Sequence, residues 1–231
     1  MVEVFGCNIK GEWDENRLFD VAFSFLPKRR QDRIRAMQSR DDAVRTLTGD
    51  LMIRELAGIR LGIDPRDVGI EEDPLGKPWI TGQEMLHFNI SHSGRWVLCA
   101  IGDEPVGVDV EFFDPTAMEA ARLVFNDREC RWIFQGNGTK AVDRFFVLWT
   151  LKESYMKFTG LGLGLAPLSF EIDVKQDRIQ LTGEGVHKVR LECYRPDETH
   201  RAALCTTNSL PGKIIPWTLG ESRIYRGEDS S

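Results

Sequence analysis

The chain has 231 residues, and 42% of them are hydrophobic, which is enough apolar material for one large core or two modest ones. This composition excludes an intrinsically disordered protein. The 36 acidic residues outnumber the 30 basic ones and leave a formal net charge of -6, which argues against a general nucleic-acid binder that needs an overall basic field.

Targeting and cysteine patterns indicate the compartment. No positively charged region or sustained apolar run follows Glu3, so we expect no signal peptide. The densest apolar stretch, residues 145–149, is far shorter than the roughly 20 apolar residues of a membrane-spanning helix, so we expect no membrane span. The 5 cysteines are odd in number and never spaced as C-x-x-C, which argues against a disulfide framework or a zinc site. These patterns favour a protein of the reducing cytoplasm.

The first half of the sequence predicts one long helix followed by strands. Apolar spacing predicts an amphipathic helix over residues 41–62, with Asp41 or Asp42 as its cap and Gly62 as its stop. Gly49 inside this helix indicates a close packing contact. The pattern further predicts an antiparallel meander of three strands joined by tight turns, with the strands at residues 88–90, 96–101 and 106–110 and the turns at 91–94 and 102–105.

The second half repeats this order. Two short helices are expected from about 116 to 135, after Asp114 as N-cap and Pro115 as first helical residue. A longer helix is predicted over residues 142–158 and ends at Gly160. Further strands are predicted at residues 168–174, 178–181, 189–194 and 202–206. The sequence thus predicts an α+β protein of two similar subdomains, divided near Pro105 into residues 1–105 and 106–231.

Two carboxylates alternate with valines in the segment Gly107-Val108-Asp109-Val110-Glu111. On a strand, this alternation sends Asp109 and Glu111 to one face and the valines to the other. Paired acids on one face repel each other unless a cation lies between them or they stand in open water. The pair is therefore either a cation site or an ordinary solvated strand face.

A second constellation lies on the predicted helix over residues 142–158. Trp149, Glu153 and Lys157 recur at steps of four and therefore share one face. An acid and a base aligned in this way are commonly a surface ion pair. The neighbouring aromatic and aliphatic residues indicate that much of the helix is packed, so we expect the carboxylate of Glu153 to be partly sheltered.

Basic and hydroxyl side chains are suited to bind phosphate groups. Ser91 and His92 lie in a hydroxyl-rich turn, where imidazole, hydroxyl and backbone N–H groups offer donors. A basic cluster lies upstream in this acidic chain, and Lys77 joins it. Such a cluster is either a solvated helix face or a site for a multiply phosphorylated ligand. Its members are Lys28, Arg29, Arg30, Arg33, Arg35, Arg40 and Arg45.

Together these motifs resemble one family. The sequences F-N-I-S-H-S, G-V-D-V-E and W-T-L-K-E-S-Y-M-K, in this order over a chain of this length, are similar to the surfactin-synthetase-activating type of 4′-phosphopantetheinyl transferase. The resemblance covers essentially the whole chain. It implies a monomer of two α+β subdomains related by a pseudo-two-fold axis, with coenzyme A bound in the cleft between them.

The resemblance also implies a reaction. Members of the family transfer the phosphopantetheine arm of coenzyme A to a serine of an acyl or peptidyl carrier protein, which leaves adenosine 3′,5′-bisphosphate, and they need Mg²⁺. The nucleophile then belongs to the partner, which is consistent with the lack of a convincing Ser/His/Asp or Cys/His set here. Members of this longer subfamily commonly activate antibiotic or siderophore synthetases, so we expect a role in nonribosomal peptide biosynthesis.

Matching to the family implies the site residues. Asp109, Glu111 and Glu153 match the metal ligands, and Glu153 is our first choice as the base, with Glu111 or a metal-bound water as substitutes. Lys157 would hold the transferring or leaving phosphate. The assignment of Arg30 and Arg33 depends on how residues 28–35 align with the family, and this alignment can shift by one residue. The residues expected to bind coenzyme A are Arg30, Arg33, Arg45, Thr46, Lys77, Ser91, His92 and Lys157.

Some roles and functions stay open at this point. Glu129 falls where the family often has an acid, and its role could be structural. The loop at residues 112–113 and the helix at 118–125 are candidates for contact with the carrier. The same carboxylates would also suit a Mg²⁺-dependent nucleotide or pyrophosphate hydrolase acting on coenzyme A-like substrates. A catalytically silent coenzyme A binding module is a third possibility, and a soluble α+β protein with scattered surface charge is a fourth.

Overall fold

A computed structural model describes residues 1–10, 14–175 and 178–227 of the chain. It has two halves, each with one long helix packed across a small, mainly antiparallel sheet. This arrangement confirms the predicted α+β class and its two-subdomain layout. In chain order the helices and strands are β1 (Glu3–Asn8), α1 (Glu15–Phe25), α2 (Lys28–Arg35), α3 (Arg40–Leu61), β2 (Ile70–Glu72), β3 (Pro78–Ile80), β4 (His87–Ser93), β5 (Trp96–Gly102), β6 (Val106–Phe112), α4 (Ala121–Val124), α5 (Asp127–Phe134), α6 (Thr139–Thr159), β7 (Phe170–Lys175), β8 (Arg178–Gly183), β9 (Arg190–Tyr194), β10 (His200–Thr206), β11 (Ile215–Pro216) and α7 (Arg223–Arg226).

The first half contains a four-stranded sheet with the order β11-β1-β5-β4. Helix α3 packs on β5 and β4, and Gly62 ends it with a left-handed φ of 68°. The helix predicted over residues 41–62 is thus confirmed, with its cap at Ser39 rather than at Asp41 or Asp42. The close contact expected at Gly49 is also present, because a Cβ there would lie 3.0 Å from Cγ2 of Ile90.

The predicted three-stranded meander is wrong, because β6 belongs to the sheet of the second half. β6 pairs antiparallel with β10 from Val106, opposite Thr206, to Phe112, opposite His200, and the sheet order is β6-β10-β9. The edge of β5 that a meander would use is occupied by β1, which comes from the amino terminus. Helix α6 packs across β6 and β10 and ends at Gly160 as predicted.

Alternation along the central strands divides the apolar side chains among three cores. In β5, Val97 and Cys99 lie in the core under α3, whereas Leu98 and Ala100 lie in a core shared by the two sheets. β10 alternates in the same way between the core under α6 and the shared core. The shared core therefore holds the two halves together along their sheets.

β6 has the alternation that its sequence predicts. Val108 and Val110 lie in the shared core, while the carboxylate of Asp109 contacts α6. Gly107 lets the strand approach this helix closely, since a Cβ at Gly107 would lie 2.0 Å from the backbone oxygen of Ser154. The absence of a side chain at Gly107 therefore brings Asp109 within reach of α6.

The carboxyl-terminal segment returns to the first half. β11 pairs with β1, and the buried Leu219, Ile224 and Tyr225 join the core under α3. The hydroxyl of Ser222 donates to the buried carboxylate of Glu55 at 2.6 Å. Sequence periodicity did not predict β11 or α7, because elements of two and four residues carry almost no periodic signal.

Candidate active site at the junction of the two halves

Side chains of β4 connect the first half to the edge of β6 that faces away from β10. Three of them accept hydrogen bonds from alternate backbone N–H groups, which pairs Asn89 with Val108 (2.8 Å), Ser91 with Val110 (3.2 Å) and Ser93 with Phe112 (3.0 Å). Residues two apart share one side of a strand, so one row of polar side chains makes this junction. The turn predicted at residues 91–94 is therefore wrong for Ser91 and His92, because pairing with β5 extends to Ser93.

Asp109 lies at this junction and contacts both halves. Its side chain is 3% exposed, and its Oδ1 accepts hydrogen bonds from Ser91 Oγ at 2.9 Å and from Lys157 Nζ at 2.7 Å. Lys157 Nζ also donates to Ser91 Oγ at 2.9 Å. Three residues predicted for the site, from β4, β6 and α6, thus meet in one cluster.

The second carboxylate oxygen of Asp109 is left open. Among the described residues, Oδ2 is buried and has no hydrogen-bond partner. Burial raises the pKa of Asp109, although the Lys157 ammonium group and the Ser91 hydroxyl act in the opposite direction. An unpartnered buried carboxylate oxygen costs stability, so it indicates a place for a ligand.

Glu111 and Glu153 add two more carboxylates to the cluster. Ser93 Oγ donates to Glu111 Oε2 at 2.8 Å. Burial and then the charge of Asp109 raise the pKa of Glu111 from 4.5 to about 7. The same two causes raise the pKa of Glu153, against the effect of Lys157. The three carboxylates thus repel one another in a sheltered place, which a cation among them would relieve.

The oxygen donors fit a hard divalent cation that keeps several waters. Across residues 1–10, 14–175 and 178–227, no three His, Cys, Asp or Glu side chains converge closely enough to enclose a metal by themselves. Mg²⁺ usually takes one or two protein carboxylates together with waters and substrate phosphates. The open Oδ2 of Asp109 and the nearby carboxylate of Glu111 provide such a partial set of ligands.

Arg45 and His92 lie beside this cluster. Arg45 Nη1 donates to the backbone oxygen of Gly94 at 2.6 Å, and its guanidinium also pairs with Asp42. Much of the His92 residue is accessible to solvent, yet partial desolvation lowers its pKa, and the charges of Arg45 and Lys157 lower it further. The positive charges of Arg45 and Lys157 beside His92 favour the binding of an anionic group at this place.

Two further residues predicted to bind coenzyme A have contacts of their own. Lys77 Nζ donates to the backbone oxygens of Lys157 (3.0 Å) and Phe158 (3.3 Å), so it satisfies carbonyl groups at the end of α6. Burial lowers the pKa of Lys77. Thr46 follows Arg45 on α3, and its hydroxyl lies 3.8 Å from the sulfur of Met37.

Arg30 and Arg33 contact carboxylates of the first half. Arg30 binds both oxygens of Asp50 at 3.1 and 3.2 Å, and Arg33 Nη1 lies 2.7 and 2.8 Å from the two oxygens of Glu72. The Arg33 side chain is 58% exposed and the Arg30 side chain 29%. Their roles in phosphate binding stay predictions.

Glu129 has the contacts of a structural residue. Its side chain is 1% exposed and accepts hydrogen bonds from the backbone N–H groups of Ile172 at 2.8 Å and Asn126 at 2.9 Å. Lys152 Nζ lies 3.1 Å from Glu129 Oε1 and also donates to the backbone oxygen of Pro167 at 2.7 Å. These contacts join α5 and α6 to β7, which favours the structural role.

Sequence reasoning did not identify Asn89, Ser93 or Gly107 as parts of the site. A signal for the first two was present, because polar residues occupy every second position of F-N-I-S-H-S, as on one side of a strand. Gly107 offered no comparable local signal. Its importance comes from the backbone of Ser154, which belongs to another element.

Two family models match the chain, one in each half. The model described as 4′-phosphopantetheinyl transferase, N-terminal, matches residues 11–103, and the model of the 4′-phosphopantetheinyl transferase superfamily matches residues 105–205. A 4′-phosphopantetheinyl transferase of Bacillus subtilis is 34% identical over 192 residues, covering 82% of this chain and 85% of that protein. The 4′-phosphopantetheinyl transferase Sfp of Bacillus subtilis (strain 168) is 32% identical and covers 84% of this chain and 87% of its own. The 4′-phosphopantetheinyl transferase gsp of Aneurinibacillus migulanus is 31% identical, with 89% and 86% covered.

The chain therefore belongs to the 4′-phosphopantetheinyl transferase family, which is a family of enzymes. Its similarity to Sfp and gsp confirms the resemblance that the three sequence motifs predicted. The hydrolase alternative finds no support in these comparisons, since both family models and all three relatives are described as transferases.

Proposed function

We propose that this enzyme transfers the 4′-phosphopantetheine moiety of coenzyme A to a serine hydroxyl of an apo acyl or peptidyl carrier protein, in a Mg²⁺-dependent reaction. The observation that supports it best is the cluster of Ser91, Asp109 and Lys157, in which the buried Asp109 Oδ2 has no hydrogen-bond partner among the residues described. Carboxylates and a lysine at one place suit a substrate that brings both a cation and a pyrophosphate.

Asp109, Glu111 and Glu153 would supply the carboxylate ligands of Mg²⁺, with waters and phosphate oxygens of the substrate as its other ligands. When bound, the cation would neutralise charge on the pyrophosphate of coenzyme A. Lys157 has a side chain that is 27% exposed, so its ammonium group can contact a phosphate while it stays near Asp109. A compact cation at this place stabilises negative charge on the transferring or leaving phosphate.

The reaction exchanges one phosphorus–oxygen bond for another. The serine oxygen of the carrier bonds to the β-phosphorus of coenzyme A, and the bond from that phosphorus to the bridging oxygen breaks. The bridging oxygen leaves with adenosine 3′,5′-bisphosphate. The serine proton passes to a carboxylate, which we assign to Glu153 because its side chain would lie near the same phosphate. Glu111 is the alternative base.

The cations and hydroxyl groups of the first half would bind the rest of the coenzyme. Arg45 and His92 adjoin Lys157 and offer donors to its phosphates. Thr46, on α3 beside Arg45, would lie near the adenine. Ser91, Lys77, Arg30 and Arg33 complete the proposed set. We propose that the site divides near residue 105, so that most coenzyme contacts lie before it and the metal ligands after it, although residues 215–226 pack on the first half.

The cellular setting is also a proposal. We infer a monomer that acts in the cytoplasm on carrier domains of nonribosomal peptide synthetases, with antibiotic biosynthesis as its pathway. In the described parts of the chain, no helix is both long and apolar enough to cross a membrane. Carrier contact is proposed for Phe112, which is 45% exposed, and for Leu123 on α4, which is 76% exposed.

Intact-mass spectrometry of a carrier protein tests the proposed function. The purified enzyme is incubated with coenzyme A, Mg²⁺ and an apo peptidyl carrier domain, with and without a chelator. We expect the carrier to gain the mass of one phosphopantetheine group only when free Mg²⁺ is present. Glu153→Gln should slow this gain by about 100-fold or more, whereas Glu171→Gln, which removes a partner of Arg128 on the surface, should not.

Two results would contradict the proposal. Cleavage of coenzyme A with an unchanged carrier mass would support a hydrolase. Binding of coenzyme A without any turnover, across several carriers, would support a binding module.

A further inference from the structure

One carboxylate of the second half binds the turn between β4 and β5 of the first half. Asp197 lies in the loop between β9 and β10, and its Oδ2 accepts hydrogen bonds from Arg95 Nε at 2.9 Å and Trp96 Nε1 at 2.7 Å. Its Oδ1 accepts from the backbone N–H of Thr199 at 2.7 Å and lies 2.9 Å from Nδ1 of His200. Each carboxylate oxygen of Asp197 therefore contacts one half of the molecule, Oδ2 the first half and Oδ1 the second.

The ring of His200 extends this contact beneath the turn. It is 1% exposed and packs edge-on against Phe112, with ring centroids 5.3 Å apart. Gly94, with a φ of 55°, lies directly over the ring, because a Cβ at Gly94 would be 2.4 Å from Nε2 of His200. The histidine thus fills the space under Gly94 and determines how closely the turn approaches the second half.

The same turn holds two residues of the proposed site. The backbone oxygen of Gly94 accepts the hydrogen bond from Arg45 Nη1 at 2.6 Å. Ser93 Oγ donates to Glu111 at 2.8 Å and accepts from the backbone N–H of Phe112 at 3.0 Å. A shift of this turn would therefore move a proposed phosphate ligand and a proposed metal ligand together.

We propose that Asp197 and His200 are positioning residues that set the β4–β5 turn and, through it, the places of Arg45 and Glu111. This inference rests on the proposed roles of Arg45 with coenzyme A and of Glu111 with Mg²⁺. Neither residue has to touch substrate. Hydrogen bonds from Trp96, His200 and Thr199 outweigh desolvation and hold the pKa of Asp197 well below its ordinary value, so the carboxylate keeps its charge at neutral pH.

Asp197→Asn tests this role, since asparagine has one acceptor oxygen where aspartate has two, and one set of donors must lose its partner. We expect the KM for coenzyme A and the Mg²⁺ concentration for half-maximal rate each to rise by about tenfold or more, because small misplacements of binding groups have effects of this size. The KM for the carrier protein should rise by less than the KM for coenzyme A, because only Phe112 of the two proposed carrier contacts packs against His200. Glu198→Gln is the matched control, as Glu198 is the next residue, is 87% exposed and pairs with Arg195.

A second pair of variants tests the contact under the turn. Gly94→Ala and His200→Ala should each raise the KM for coenzyme A. The double variant should raise it by less than the product of the two single effects, because removal of the ring relieves the clash while the strain of alanine at a φ of 55° remains. Independent, multiplicative effects of the two changes would overturn the contact. Melting temperatures of all variants identify any general loss of folding.

The outcomes separate this inference from the proposed function. If the wild-type enzyme modifies no carrier, the proposed function itself is contradicted. With active wild type, constants of Asp197→Asn equal to those of Glu198→Gln would overturn the positioning role. An equal rise in both KM values together with a lower melting temperature would overturn it too, because that result indicates a purely structural contact.

Discussion

The two halves of the molecule share one plan but use their buried charges differently. Each half packs one long helix across a sheet, with 22 residues in α3 and 21 in α6. Each half also buries an aspartate, Asp50 on α3 and Asp109 on β6. Arg30 contacts both oxygens of Asp50, whereas Oδ2 of Asp109 has no hydrogen-bond partner within the residues that the structure describes.

This difference distinguishes a charge that serves the fold from one that we propose serves the reaction. A buried carboxylate with both oxygens bound holds neighbouring elements in place. A buried carboxylate oxygen without a partner costs stability, and a ligand that binds the oxygen removes that cost. The first half offers mainly cations and hydroxyl groups to the junction, and the second half offers the three carboxylates. We therefore infer that neither half forms the site alone.

Replacing the two aspartates by asparagine tests the comparison most strongly. We expect Asp109→Asn to slow transfer by about 1,000-fold or more, because it removes charge where a cation and phosphates are proposed to bind. Asp50→Asn should leave the rate at saturating coenzyme A within about threefold and lower the free energy of unfolding by about 1 to 3 kcal/mol, since Arg30 loses a charged partner. Carrier-mass time courses and urea unfolding measure both effects. Near-full activity of Asp109→Asn would refute its metal role.

The two close-contact glycines sharpen the comparison of helix packing. A Cβ at Gly107 would meet the backbone of Ser154, whereas a Cβ at Gly49 would meet side chains, those of Ile90 and Val97. We expect Gly107→Ala to lower the free energy of unfolding by about 2 kcal/mol or more and to move α6 away from β6. Gly49→Ala should change it by less than about 1 kcal/mol, because better helix propensity offsets the tighter contact. Equal losses in urea unfolding would contradict this expectation.

The carboxylates of the second half should also respond to pH. Burial raises the pKa of Glu111 to about 7 from 4.5, so the folded metal-free protein holds a proton that the unfolded chain has released. The stability contributed by this group is complete below pH 4.5 and is lost as the pH rises through about 7. Glu111→Gln should therefore flatten the pH dependence of Tm over this range. Thermal unfolding with a chelator present measures it, and parallel curves for variant and wild type would count against the raised pKa.

The exposed cations of the first half should give the smallest effect. Arg33→Ala is expected to raise the KM for coenzyme A by about twofold to fivefold and to leave kcat unchanged, because an exposed charge contributes modest binding that salt screens. The rise should shrink at high ionic strength. Steady-state kinetics at two salt concentrations measure it. An unchanged KM at low salt would show that Arg33 does not bind coenzyme A and only pairs with Glu72.

Local patterns in the sequence predicted the elements that carry the site. Glycines predicted the ends of the two long helices at Gly62 and Gly160, because a left-handed cap favours glycine. Strict alternation predicted that Asp109 would face away from the valines of β6. Helical spacing placed Glu153 and Lys157 on one face. These features depend on neighbours within a turn or two of backbone, so they can be read from the sequence alone.

Only the tertiary structure decided which of these elements meet. Lys157 donates hydrogen bonds to Asp109, 48 residues away, and to Ser91, 66 residues away. Helical periodicity had predicted only Glu153 as its neighbour. Lys77 reaches the end of α6 across 80 residues. β1 occupies the edge of β5 and leaves β6 to the second sheet. Periodicity reports that a face is buried but not what covers it, because strand pairing and helix packing are chosen by the fit of the whole core.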